Sequence, residues 1–112
     1  MDSREERLAK NEALFRSVNE RMREIAESFE LFEGRDSRVE FFCECGRDTC
    51  FERIEMTRDE YERLRSDPTH FAVVPGHEAA DVERVVRPGD GYDIVEKHAE
   101  EAQIARDTDP RG

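Results

Sequence analysis

The chain has 112 residues, of which 42% are charged and 36% hydrophobic, and its net charge is −11. This length suits one domain with a modest core. Because 29 acidic residues outnumber 18 basic ones and no segment is basic, we expect neither nucleic-acid binding by phosphate neutralisation nor docking on an anionic membrane.

The sequence also lacks the signals of membrane insertion and export. No apolar run approaches about 18 residues, the length needed for a transmembrane helix. The charged N-terminus, from Met1 to Glu6, has no apolar stretch of the kind found in signal peptides. Three cysteines cannot all pair within one chain, which favours a reducing compartment. We therefore expect a cytoplasmic protein.

Residues 1–34 predict a long amphipathic helix. Neither Gly nor Pro occurs before Gly34, which stands where a helix C′ residue is expected. Ser3 followed by Glu6 has the spacing of a capping box. The apolar residues follow a heptad spacing, with one seam position at Leu8, Phe15, Met22 and Phe29 and the other at Val18, Ile25 and Phe32.

Two interpretations of this apolar stripe stay open. It can pack on the rest of the chain, or it can form a coiled coil with a second copy or with another protein's helix. A helix of about 30 residues spans about 45 Å at 1.5 Å per residue, which is more than the remaining residues easily cover. We therefore expect a homodimer or a helix-mediated protein partner. Asn11 takes the one polar seam position, where it either fixes the register or lies in a frayed first turn.

Residues 35–106 predict a small α+β domain of β-hairpins and short helices, followed by a flexible tail at 107–112. Thr57 and Glu60 form a capping box for a helix that ends near Arg65. A last short helix is predicted at 98–106. The predicted strands cover residues 39–43, 51–56, 70–74, 82–86 and 92–96.

All three cysteines lie close together, as C-x-C-x4-C at Cys43, Cys45 and Cys50. They occupy the tip of the first predicted hairpin, and thiolates this close suit a soft metal ion. Polar neighbours such as Glu44 and Arg47 argue against burial in the core, and a Cys43–Cys45 disulfide would be strained. A redox thiol role and a His-containing iron–sulfur cluster stay open, but three cysteines favour zinc.

Zinc takes four ligands in a tetrahedron, so one ligand must come from elsewhere in the chain. We predict His77, because the Pro75-Gly76 turn projects it from a strand end and Glu78 beside it can accept a hydrogen bond. The alternatives are His70 at a strand start and His98 at a helix start. The predicted site is one Zn²⁺ per chain, held by Cys43, Cys45, Cys50 and His77.

A closed four-ligand zinc site is structural, whereas catalytic zinc keeps an open position. The chain has no H-E-x-x-H, G-x-S-x-G, Walker or dinucleotide-binding motif, so we expect no enzyme. We predict a small interaction or regulatory module in which zinc builds the fold. The first alternative is a thiol-based redox sensor that releases zinc on oxidation. The second is a zinc-dependent hydrolase, with Glu44 or Glu78 as its general base.

The cysteine spacing alone is similar to the post-SET zinc motif of histone methyltransferases, which supports zinc and nothing more. A wider resemblance rests on Asn11-Glu12-Ala13-Leu14-Phe15-Arg16, Cys43-Glu44-Cys45 with Cys50, Asp67-Pro68, Pro75-Gly76-His77-Glu78, Val82-Glu83-Arg84-Val85-Val86 and Thr108-Asp109-Pro110-Arg111. On these segments the chain resembles a family of small uncharacterised actinobacterial proteins with a C-x-C-x4-C motif and a P-G-H-E loop. That resemblance implies no particular activity.

Overall fold

A computed structural model of the protein describes residues 3–31, 33–34 and 36–111, with side chains from residue 6 onward. The predicted α+β class is confirmed. The described helices are α1 (Ser3–Ser28), α2 (Arg58–Arg65) and α3 (Ala99–Asp107). The described strands are β1 (Arg38–Phe42), β2 (Arg53–Thr57), β3 (His70–Val73), β4 (Glu83–Arg87) and β5 (Asp93–Lys97).

The strands form two small antiparallel sheets. β1 and β2 pair as a hairpin, in which Val39 lies opposite Met56 and Phe41 opposite Ile54. The second sheet has the order β3-β5-β4, so β5 lies in its centre. A register shift after Val85 bends the outer strand β4. The predicted hairpins are confirmed, with strand ends displaced by one or two residues.

Alternation along β1 and β2 turns one face of the hairpin into the core. Phe41 stacks on Tyr61 of α2, with ring centroids 4.5 Å apart and planes inclined by 8°. The predicted capping box that starts α2 is confirmed, because the Glu60 N–H donates to the Thr57 hydroxyl and the Thr57 N–H donates to the Glu60 carboxylate. The rest of this core cluster is formed by Ile54, Met56, Leu64, Ala72 and Ile94.

The three cysteines belong to a second core cluster, so the expectation that polar neighbours keep them out of the core is wrong. Cys43, Cys45 and Cys50 are 1%, 3% and 7% exposed. The polar residues next to them turn either into buried ion pairs or out to solvent. The apolar members that complete this cluster are Phe71, Val73, Val95 and Ala105.

The first helix ends earlier than predicted, and Gly34 is not its C′ residue. The Leu31 N–H donates to the Ala26 carbonyl at 2.8 Å, and the Glu30 N–H donates to the Glu27 carbonyl at 3.2 Å. These two bonds form a Schellman motif, in which Glu30 takes the left-handed C′ conformation with φ 54°. The sequence hides this helix end because a glutamate rather than a glycine occupies it. The predicted Ser3 capping box and Phe32 lie outside the described side chains.

The first helix packs on the rest of the chain, and only part of the predicted stripe takes part: Phe15 contacts the rings of Phe42 and Phe51, and Met22 packs against the first core cluster. The most deeply buried face of the helix is one that the heptad did not predict. Glu12, Arg16 and Asn19 are fully buried on this face. The apolar stripe lies beside it and becomes exposed toward the C-terminal end, where Ile25 is 47% and Phe29 73% exposed. Pairing with a second copy or with another helix stays a prediction.

Contacts extend along most of the helix, so the argument that it is too long for the domain to cover is wrong. At 1.5 Å per residue its 26 residues span about 39 Å, against a longest molecular dimension of 43 Å. Asn11 contacts Gly46 near one end, and Glu27 pairs with Arg58 near the other. In the segment expected to be a flexible tail, Arg111 lies 2.7 Å from Glu20. The flexibility of that tail stays a prediction.

Candidate metal centre

The structure brings together all four predicted ligands. One donor atom from each of Cys43, Cys45, Cys50 and His77 lies within 4.8 Å of every other. Nδ1 of His77 is 3.7 Å from the sulfur of Cys43 and 3.6 Å from that of Cys50. This buried group of three sulfurs and one imidazole nitrogen has the chemistry and the spacing to hold a metal ion.

Two turns present the ligands to one another. The Cys50 N–H donates to the Arg47 carbonyl at 3.1 Å, which closes the turn between the second and third cysteines. On the facing segment the His77 N–H donates to the Val74 carbonyl at 2.9 Å, across Gly76 with φ 91°. The predicted Pro75-Gly76 turn thus directs His77 toward the sulfurs.

The first of these segments is fastened to the body of the protein at both edges. The Cys43 N–H donates to the Glu52 carbonyl at 2.8 Å, which extends the β1–β2 ladder, and the Glu44 N–H donates to the Ala72 carbonyl at 2.8 Å, next to β3. The Val74 N–H also donates to the Cys43 sulfur at 3.2 Å. The cysteine segment is therefore held between the hairpin and β3, as a preformed ligand set requires.

The helix α1 packs directly on the cysteine segment at Gly46. Its φ is +77°, and a Cβ at this position would lie 2.6 Å from Cγ of Glu12 and 2.9 Å from the Leu8 carbonyl oxygen. Asn11 donates to the Gly46 carbonyl at 3.0 Å and to the Asp48 carboxylate at 2.7 Å. Asn11 therefore connects the helix to the turn between Cys45 and Cys50, rather than lying in a frayed first turn.

The carboxylate beside His77 is Glu52, not the predicted Glu78. Nε2 of His77 lies 3.1 Å from a Glu52 carboxylate oxygen, on the opposite side of the ring from the sulfurs. An acceptor at this position fixes the imidazole orientation and tautomer when Nδ1 binds a metal. Within the described residues Oε1 of Glu78 is buried and has no hydrogen-bond partner.

The three thiols differ in acidity. A hydrogen bond from the Cys43 thiol lowers the pKa of Cys45. The same bond, together with burial, raises the pKa of Cys43, and burial raises the pKa of Cys50. Cys45 is therefore the thiolate that forms most readily in the cluster, and the thiolate is the form that binds a metal.

Glu44 lies between Cys43 and Cys45 in the sequence, but its carboxylate accepts hydrogen bonds from other parts of the fold. Its side chain is fully buried, and one oxygen accepts from Arg65 at 2.7 Å and from the Ala72 N–H at 3.0 Å. The other oxygen accepts from Asn19 at 2.8 Å. With both oxygens bonded inside the fold, Glu44 is poorly placed to act as the general base that a hydrolase would need.

The other two histidines have different surroundings. His70 bonds Glu96 at 3.0 Å and lies 3.4 Å from Asp67. These three residues form a second, half-buried group of potential ligand atoms. His98 is exposed at the N-cap of α3 and makes no side-chain capping bond. The choice of His77 over His70 and His98 as the neighbour of the cysteines therefore agrees with the structure.

Sequence reasoning missed the residues that support the ligands. The sequence does contain a signal for Glu52. This residue lies two positions after Cys50, where the chain enters the second strand of the hairpin, and the hairpin places it beside the cysteine turn. Asn11 has no such signal, since its bond to Gly46 joins segments 35 residues apart. The candidate ligands could be proposed from the cysteine spacing and the Pro75-Gly76 turn, whereas the residues that support them required the fold.

No helix in the part of the chain that the structure describes combines the length and apolar composition needed to cross a bilayer. The cytoplasmic location stays a prediction. Comparison of the chain with family models, with curated proteins and with solved structures finds no match. The family resemblance seen in the motifs accordingly stays a prediction as well.

Proposed function

We propose that Cys43, Cys45, Cys50 and His77 bind one Zn²⁺ per chain. The distances between the ligand atoms carry this proposal. Zn–S bonds of about 2.3 Å and Zn–N bonds of about 2.0–2.1 Å place sulfur and nitrogen about 3.6 Å apart along a tetrahedral edge. The two distances from Nδ1 of His77 to the sulfurs of Cys43 and Cys50, 3.7 Å and 3.6 Å, agree with that edge.

The proposed role of this zinc is structural. Four protein ligands fill a tetrahedron and leave no position for water or substrate. The ion would clip the β1–β2 hairpin to the loop after β3, and it would do so inside one of the two core clusters. A chain of 112 residues has a small core, so a metal ion that links two segments contributes a large share of its folding stability. We propose a small interaction or regulatory module, not an enzyme, whose fold depends on zinc.

A thiol-based redox sensor is the second candidate, and the mutual closeness of the sulfurs supports it. Ligand atoms within 4.8 Å of one another can form a disulfide after a small movement, with release of the metal. Burial of all three sulfurs favours the structural role, because oxidants reach buried thiols slowly. The rates of thiol modification and zinc release distinguish the two candidates.

The experiment that tests the structural role is thermal unfolding with and without metal. Under reducing conditions, a strong chelator should lower the unfolding temperature, and added zinc should restore it. Binding to the folded state alone stabilises it by about 2.7 kcal/mol at 100 times the dissociation constant. His98→Ala, which alters an exposed histidine outside the cluster, serves as the matched control for His77→Ala.

Two results would contradict the structural role. Unfolding that is the same with zinc and with chelator would show that the ion does not build the fold. Rapid zinc release on mild oxidation, with a disulfide formed and the metal retained under reduction, would assign the site to the redox sensor instead.

A further inference from the structure

A cleft separate from the cysteine cluster lies between α2 and the β4–β5 hairpin. Its first lobe, bordered by Leu64 and Val86, has a volume of about 280 Å³. Its second lobe, of about 290 Å³, shares part of the same lining and extends to Arg38. Each lobe lies near the lower end of the range for small-molecule sites, roughly 300 Å³. The residues that matter for its chemistry are Arg63, Leu64, Arg87, Tyr92 and Ile94.

The acidic residue common to both lobes is already paired. One oxygen of Glu60 lies 3.3 Å from the Arg38 guanidinium, and the other accepts from the Tyr92 hydroxyl at 3.0 Å. Although burial opposes ionisation, hydrogen bonds from Thr57 and Tyr92 lower the pKa of Glu60. Glu60 therefore stays ionised and offsets the charge of Arg38. Asp90 borders only the second lobe.

Arg63 and Arg87 supply the remaining positive charge. Among the residues that the structure describes, neither guanidinium has an ion-pair or hydrogen-bond partner. Both side chains are exposed to solvent and border both lobes of the cleft. These two guanidinium groups border the cleft from α2 and from β4, where they provide several N–H donors and favour an anion.

The floor of the cleft is apolar. Leu64 and Ile94 are buried below it, the half-exposed side chain of Val86 forms part of the rim, and the Tyr92 ring forms a side wall. Within the cleft, the apolar surface that stays in contact with water belongs to Val86 and the Tyr92 ring, and a bare inorganic anion would leave it so. A ligand with an apolar body would cover these two side chains, and the burial of their surface would add to the affinity.

We propose that this cleft binds a small molecule with a phosphate or carboxylate group on an aromatic or aliphatic body. The anionic group would lie between Arg63 and Arg87, and the body would lie against Val86 and the Tyr92 ring. Guanidinium groups bind the two oxygens of such groups in a bidentate fashion. The proposal does not depend on the metal site, which lies in the other core cluster.

The test is titration of the full chain with phenyl phosphate, benzoate and inorganic phosphate, followed by amide chemical shifts in NMR spectra. We expect saturable shifts around Leu64 and Ile94 with phenyl phosphate and benzoate. The probe with the lower dissociation constant shows whether the cleft prefers a phosphate or a carboxylate. Arg63→Gln and Arg87→Gln should each weaken binding by about tenfold or more, the loss of one charge-assisted pair. Arg21→Gln on exposed α1 is the control, with an expected change below about twofold.

Three results would overturn the proposal. The first is the absence of saturable shifts at the cleft up to about 10 mM probe, which corresponds to affinity too weak for a built site. The second is equal weakening by Arg21→Gln, which would indicate general charge attraction. The third is equal affinity for inorganic phosphate and phenyl phosphate, which would show that an apolar body does not contribute to binding. Unchanged unfolding temperatures of the variants establish that they are folded.

Discussion

The two ring nitrogens of His77 have different neighbours, and this difference explains how one side chain can serve the site. Nδ1 faces the sulfurs of Cys43 and Cys50, whereas Nε2 faces the Glu52 carboxylate at 3.1 Å. A carboxylate behind a metal-binding imidazole raises its basicity and holds the ring in place. In the proposed zinc site, Glu52 would therefore act as a positioning residue for His77.

We predict that Glu52→Ala weakens zinc binding by about tenfold, at the lower end of the range for such supporting residues because the side chain is partly solvated. Competition with a chromophoric chelator measures the affinity. Glu55→Ala, which removes an exposed glutamate from the strand β2 that follows Glu52, should leave the affinity unchanged. Equal affinities for the parent and Glu52→Ala would show that Glu52 does not support the ligand.

At the scale of elements, α1 ends under conformational strain. Glu30 adopts φ 54°, a left-handed conformation that costs a residue with a Cβ roughly 1–2 kcal/mol. We predict that Glu30→Gly raises the free energy of unfolding by about 1 kcal/mol, after part of the gain is lost to the greater freedom of glycine in the unfolded chain. Chemical denaturation measures the change.

The control for this prediction separates strain from charge. Glu30→Ala also removes a negative charge close to the negative end of the helix dipole, but it keeps the Cβ and its strain. A stabilisation by alanine as large as that by glycine would mean that charge, not backbone conformation, accounts for the effect.

The exposed end of the apolar stripe leads to a prediction about self-association. Ile25 and Phe29 lie on the predicted seam and remain exposed, so a second helix could cover them. We predict that Phe29→Asp shifts the protein from dimer to monomer in sedimentation experiments. Leu14→Asp makes the same chemical change at a residue that is 60% exposed but off the seam, and it should leave the dimer intact. A monomeric parent protein at all concentrations would remove the coiled-coil hypothesis.

At the scale of the whole molecule, α1 is held by buried polar side chains as well as by the apolar contacts of Phe15 and Met22. Lys97 of β5 donates to the carboxylates of Glu12 on α1 and Glu83 on β4, and all three side chains are buried. Arg16 donates to the carbonyls of Pro68 and Ala105, each at 2.7 Å. These bonds join the two ends of the chain to its centre.

This buried triad predicts a specific dependence of stability on pH. Burial raises the pKa of Glu12 from 4.5 to about 8, although Lys97 opposes the rise. Because the pKa is higher in the folded state, the contribution of Glu12 is fully present below the unfolded pKa and is lost as pH rises through about 8. We predict that Glu12→Gln gains stability relative to the parent between about pH 5 and pH 9.

Chemical denaturation across this pH range measures that difference. Glu24→Gln, which neutralises an exposed glutamate on the same helix, should follow the parent at every pH. A constant difference between Glu12→Gln and the parent would show that Glu12 ionises in the fold as it does in the unfolded chain.

Local patterns carried most of what the sequence could predict. Alternation marked the strands, Thr57 and Glu60 marked the start of α2, and the cysteine spacing marked the candidate ligands. The local sequence did not predict the buried ion pairs. Because 42% of the residues are charged, nothing near Glu12 in the sequence distinguishes it from a surface glutamate. Its partner Lys97 is 85 residues away, so only the fold identifies the pair.

The most direct test of the metal centre is the metal content of the protein purified without added metal, measured by elemental mass spectrometry beside His77→Ala and His98→Ala. We predict about one zinc per chain in the parent and in His98→Ala, as one tetrahedral site requires, and a marked loss in His77→Ala. A folded parent with no bound metal and three titratable thiols would contradict the account, and so would full zinc retention in His77→Ala.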